Sequence, residues 1–286
     1  MRIAPTTVFR NGDSPLSKVL RLHDFEFVET VRVIGNWDAV ICSKCKFQKG
    51  VRVVPLEGVN VHQPKSVIFQ DVEAVVAGSL FAFKISAAKS PTLRICQVVI
   101  DGAVAIGDGR PHVKDGANSG SPDLVSIQNV NVVELHGVHS SGSGENGFSI
   151  NGCESVTIDS SSAVGNDGQG FHIGRHNEDG DGEAYDKTVG RLELHNVTTA
   201  GNWRNQLNVA GGSGCGVLLH SVGRVVATRL FSAGHEYPIS MISSGKSKNG
   251  SLFVDGVSYD AKRLLVSPDI SVDAGQLRYP AGVPVN

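Results

Sequence analysis

VELHGVHSSGSGENGFSI, residues 133–150, aligns without a gap above VTIDSSSAVGNDGQGFHI, residues 156–173. The offset is 23 residues, and a third copy, LELHNVTTAGNWRNQLNV at residues 192–209, begins 36 residues after the second. The 13 extra residues fall in one connection, GRHNEDGDGEAYDK, residues 174–187. Each copy opens on an apolar-x-apolar pair (Val133/Leu135, Val156/Ile158, Leu192/Leu194) and closes on a second (Phe148/Ile150, Phe171/Ile173, Leu207/Val209). A short strand and a Gly/Asn turn lie between the two pairs. Alternation at period two puts the apolar residues on one face of a strand and the residue between them on the other. Three short strands per 23 residues describe one coil of a solenoid, with apolar residues stacked inside.

Weaker copies extend the pattern. Val125-Ser126-Ile127 sits one repeat before Phe148-Ser149-Ile150, and residues 98–109 resemble 156–168. Residues 20–33, 40–53 and 67–85 upstream, and 217–241 and 251–266 downstream, keep the rhythm. Between 209 and 234 the register is open, because Val217-Leu218-Leu219 fits either the first or the last strand of a coil. The expected fold is all-β: a right-handed, single-stranded parallel β-helix of eight to nine coils over residues 18–266. Residues 1–17 are expected to form an N-terminal cap or arm, and 267–286 a C-terminal extension. A β-propeller needs about 40 residues per blade, and a sandwich gives no reason for gapless tandem copies.

The 286 residues carry 26 Lys and Arg against 28 Asp and Glu, a net charge of −2. That balance argues against a dedicated nucleic-acid binder, which shows a basic excess. No apolar run follows the first charged residues, so no secretory signal is expected, and no stretch approaches a membrane span. Five cysteines, an odd number, suggest reduced thiols. A virion-associated or cytoplasmic location is expected, with an extracellular one only by a non-classical route. Cys42 and Cys45 form a lone C-x-x-C and align with interior Leu135 and Val138, as core thiols rather than zinc ligands. His136, Asp159 and His195 share one aligned position after a strand, a structural ladder at a turn.

Residues 125–209, through GNDGQGFHI, GSGENGFSI and the V-x-I-D/H strand, resemble the right-handed parallel β-helix superfamily of pectate lyases, polygalacturonases, polysaccharide epimerases and phage tailspikes. The resemblance implies a carbohydrate groove on the strand that follows the variable turn. Its outward residues are expected to be Arg32, Arg52, Lys84, Ser126, Ser149, His172 and Asn208. Three cations a coil apart suit an acidic polysaccharide. Insertions at 109–123 and 174–187 flank this line near Ser149 and His172.

Chemistry on such a groove needs two carboxylates for hydrolysis, or a base and a cation for lyase or epimerase steps. The candidates are His172, Arg175, Asp167 and Glu145, with Arg204 as a further cation and Trp203 as a sugar-stacking ring. No cofactor is required by this reading. Asp179, Asp181 and Glu183 in the acidic insertion offer oxygen ligands for Ca2+, although a solvated acidic loop is the simpler and favoured reading. The polygalacturonase and mannuronan-epimerase signatures are not present in the chain. Two functional readings therefore stand: a polysaccharide-binding protein acting as lyase or hydrolase, or a non-catalytic phage tailspike or decoration protein that binds host glycan or neighbouring subunits. The partners expected are a polysaccharide and further copies of the chain, a trimer being one form, with no nucleic acid and no membrane insertion.

Overall fold

In the computed structural model, the apolar pairs that align in the sequence are neighbours in register on parallel strands. Val133 pairs with Val156 and Val156 with Leu192; Leu135 pairs with Ile158 and Ile158 with Leu194. The structure describes residues 1–3, 5–11, 18–54, 64–87, 93–112, 122–174, 188–202, 214–235, 237–242, 250–259, 265–266, 271–274 and 277–278. The fold is an all-β parallel β-helix. Among the described residues no helix is long and apolar enough to cross a membrane.

Three columns of parallel strands build the solenoid. Column one includes Val31–Gly35, Val51–Val54, Phe83–Ser86, Phe171–Gly174 and Cys215–His220. Column two includes Ala39–Ser43, Val189–His195 and Val222–Thr228, and column three Lys46–Phe47, Ser162–Val164 and Thr198–Ala200. The long strands Val125–Ser141 and Phe148–Asp159 bend at corners and run through successive columns.

The bend between columns two and three is made by one residue per coil. Asp24, Lys44, Asp71, Ser160, Asn196 and Arg229 take positive φ there, between 50° and 58°, in line with Gly102, Gly137 and Gly256. A left-handed residue costs about 1–2 kcal/mol without glycine. Stacking offsets this by satisfying the backbone: Ser160 N donates to His195 O at 2.9 Å and Arg229 N to Asp255 O at 2.9 Å.

The interior is a continuous apolar stack. Phe27 and Phe47 lie face to face with centroids 5.4 Å apart, Phe69 and Phe83 continue the column, and Phe148 stacks on Phe171 at 4.5 Å. Cys42 and Cys45 sit in this core with no exposed surface, and burial pushes both thiols up.

Two features of the pairing concern the ends of the chain and the third copy. Thr7–Asn11 pairs with Val31–Gly35, while Ser271–Ala274 pairs with Ser251–Asp255 and Leu277–Arg278 with Val257–Tyr259. Pairing therefore continues beyond the expected boundaries at 17/18 and 266/267. Column one has ten rungs among the described residues, from Thr7–Asn11 to Leu265–Val266. The third copy also departs from gapless alignment after Asn202. Phe171 pairs with Val217 rather than Leu207, so Val217-Leu218-Leu219 is the column-one strand of that coil.

A polar ladder inside the corner explains this register. Ser143 N donates to Asn166 Oδ1 at 2.9 Å, Asn166 N and Nδ2 donate to Asn202 Oδ1 at 3.0 and 2.8 Å, and Asn202 N donates to His235 Nε2 at 3.3 Å. The ladder lies beside the start of three column-one strands, where Gly147, Gly170 and Gly216 stand and an added Cβ would overlap a neighbour; Ala82 and Leu124 hold the corresponding places on earlier rungs. A Cβ on Gly170 would lie 2.5 Å from Thr199 Oγ1 and 2.8 Å from Asn202 Nδ2, and Gly216, not Gln206, takes the next rung.

Candidate functional site

Outward residues of column one stand in a single line, rung by rung: Val8, Arg32, Arg52, Lys84, Ser126, Ser149, His172, Leu218 and Ser240. Each alternates with core residues on either side, so the line faces away from the interior. Rungs of a parallel sheet are about 4.8 Å apart. Leu218 occupies the rung expected for Asn208.

The line divides into an open and a covered stretch. Arg32 is exposed, and Arg52 and Lys84 are half-buried. Arg32 and Arg52 are direct neighbours, and neither forms an ion pair with another described residue. Burial lowers the Arg52 pKa and the Arg32 charge lowers it further, the response of a cation beside a like charge in reduced solvent. The second outward row here is Arg10, Ile34, Val54 and Ser86, so no described residue in either row of this stretch is acidic. Residues 1–100 hold 13 Lys and Arg against 8 Asp and Glu. The Phe81 ring lies beside the line, its centroid 4.3 Å from Lys84 Nζ and 5.8 Å from the Arg52 guanidinium carbon. Nothing in the repeat pattern singles out Phe81, because an aromatic residue in a turn reads as packing.

The second stretch is closed. Ser126 and Ser149 are 1 % exposed, His172 4 %, Leu218 1 % and Ser240 0 %. This corrects the expectation of a solvent-facing groove around Ser149 and His172. The strands there are buried on both faces, so facing away from the core does not make a side chain accessible.

The expected carboxylates, Asp167 and Glu145, do come to successive turns: Gly168 N donates to Glu145 O at 2.6 Å and Asp167 N to Ser143 O at 2.9 Å. Asp167 is buried and Glu145 half-buried. Asp123, a neighbouring carboxylate, accepts from Asn146 N at 3.3 Å and Nδ2 at 2.9 Å and so fastens the turn. Arg175, Trp203, Arg204, Asn208, Asp179, Asp181 and Glu183 lie outside the described residues. Among the described residues no group of three His, Cys, Asp or Glu could hold a metal ion.

The His136–Asp159–His195 ladder sits at the corner between columns two and three. A hydrogen bond from Asn196 Nδ2 at 3.0 Å, with a second from Ser160, holds Asp159 below the usual carboxylate range. His195 Nδ1 is hydrogen-bonded to Thr228 Oγ1 at 2.7 Å. These bonds tie one coil to the next.

No family model, curated protein or solved structure matches the chain.

Proposed function

We propose that the chain is a carbohydrate-binding protein of the pectate lyase-like parallel β-helix superfamily, and that its ligand is an acidic polysaccharide bound along Arg32, Arg52 and Lys84. The observation that carries this reading is the pair Arg32 and Arg52: like charges on adjacent rungs, without acidic partners among the described residues, on the open part of column one. Such a pair is unfavourable in the free protein and is relieved by an anion lying across it. A rung spacing of about 4.8 Å is close to the advance of one sugar in an extended chain, so successive acidic groups meet successive cations. The reading is one of binding rather than cleavage, because His172, the expected base, is 4 % exposed.

Isothermal titration with a polyuronate, a sulfated glycan and a neutral glucan, each at low and high salt, tests this proposal. The expected result is binding to the acidic polymers that weakens with salt, is lost in an Arg32→Ala/Arg52→Ala variant, and produces no unsaturated uronates or new reducing ends. Equal affinity for the neutral glucan, or full binding by the double variant, would overturn it.

A further inference from the structure

Among the described residues, Phe81 is the one aromatic ring within reach of two cations of the open stretch, and charge recognition alone gives it no role. It lies in the turn before Phe83–Ser86, half-buried, three residues ahead of Lys84. The corresponding positions on the next three rungs are Asp123, Asn146 and Gln169, all polar. Its backbone is fixed on both sides. Gly50, at φ +73°, packs so closely that an added Cβ would overlap the Phe81 carbonyl oxygen. Val51 N donates to Ala82 O and Phe83 N to Leu124 O, both at 2.9 Å. The ring is therefore presented from a rigid corner while the long Lys84 and Arg52 side chains rest near it.

We propose that Phe81 is a platform for the face of a sugar ring, so that the ligand is read by ring and charge together. This rests on the acidic-polysaccharide reading above. Lys84 Nζ covers the ring in the free protein, attracted by the negative face of its π-system. A sugar presenting its C–H face replaces the ammonium there, and Lys84 turns toward the carboxylate or sulfate of the same or the next residue. Both contacts use parts already in place, and no bond is made or broken.

The test compares two polyanions, the polyuronate and inorganic polyphosphate, which has charge but no ring. Phe81→Leu keeps the apolar volume and removes the π-face. The expected result is a loss of about five- to tenfold in polyuronate affinity, polyphosphate affinity within twofold of the parent, and an unchanged salt dependence. Phe81→Trp is expected to restore or raise polyuronate affinity. Equal losses for both polymers would reduce Phe81 to holding the cations in position, and no loss for either would remove it from the site; both overturn the proposal while leaving the acidic-polysaccharide reading intact. Failure of the parent protein to bind polyuronate while it still binds polyphosphate would overturn the polysaccharide reading itself, and the platform with it. A melting temperature within a few degrees of the parent establishes that each variant is folded.

Discussion

The two stretches of column one share a fold, a register and a repeat grammar, yet they offer different surfaces. From Arg32 to Lys84 the outward face is cationic and open; from Ser126 to Ser240 it is neutral and sealed. Their interiors differ too. Phe27, Phe47, Phe69 and Phe83 pack ring to ring through the first stretch; the second has its own stacked pair, Phe148 and Phe171, and beside it runs the corner ladder from Ser143 through Asn166 and Asn202 to His235. The repeat thus dictates where a side chain stands, and the turns and connections around it decide whether a ligand can reach it.

Interior variants should show the largest effects. Phe47→Ala removes a fully buried ring and is expected to cost about 3–5 kcal/mol in denaturant unfolding. Asn202→Ala orphans Asn166 N and Nδ2, both buried donors, and is expected to cost about 3 kcal/mol, since each unsatisfied buried group costs roughly 1–3 kcal/mol. A cost below about 1 kcal/mol for Asn202→Ala would mean that the ladder is not what fixes the closed half.

Binding comes next in size. Arg52→Ala is expected to weaken polyuronate binding about tenfold, equivalent to roughly 1.4 kcal/mol, whereas His172→Ala changes it less than twofold. A reversal of that order would move the site to the covered stretch.

Thiol titration gives a smaller but sharper contrast. The five cysteines are unpaired, and only Cys96 is exposed. Burial pushes Cys153 and Cys215 up to about 12. One equivalent is expected to react in the folded protein at pH 8 and five after unfolding, because the thiolate is the reactive form.

The smallest effect concerns acid. Asp159 is depressed chiefly by the Asn196 hydrogen bond, and Glu193 chiefly by Arg191. A carboxylate whose folded pKa lies below its unfolded value stabilises the fold above the unfolded pKa, and that contribution is lost as pH falls through the folded one. The coils around these residues are therefore expected to lose stability below about pH 4, and Asp159→Asn should flatten the fall slightly in a melting series.

Much of this architecture could be read from the chain because the apolar pairs report stacking directly: Val133, Val156 and Leu192 are neighbours both in the alignment and in the sheet. Arg32, Arg52 and Lys84 fell on one line for the same reason. The sealing of Ser149 and His172 had no such signal, since period-two alternation distinguishes inside from outside and not open from covered. The third copy misled after Asn202 because LNV imitates the apolar pattern, while the deciding constraint was steric: Thr199 and Ser232 leave no room for a Cβ on that rung, and Gly216 takes it. Phe81 went unnoticed because its value lies in contacts with Arg52 on a neighbouring coil.

Arginine modification by phenylglyoxal, read by peptide mass spectrometry with and without saturating polyuronate, tests the central claim most directly. Protection of Arg32 and Arg52, with exposed Arg21 and Arg191 modified equally in both samples, is the predicted result. Unchanged modification of Arg32 and Arg52 with the polysaccharide bound would contradict it.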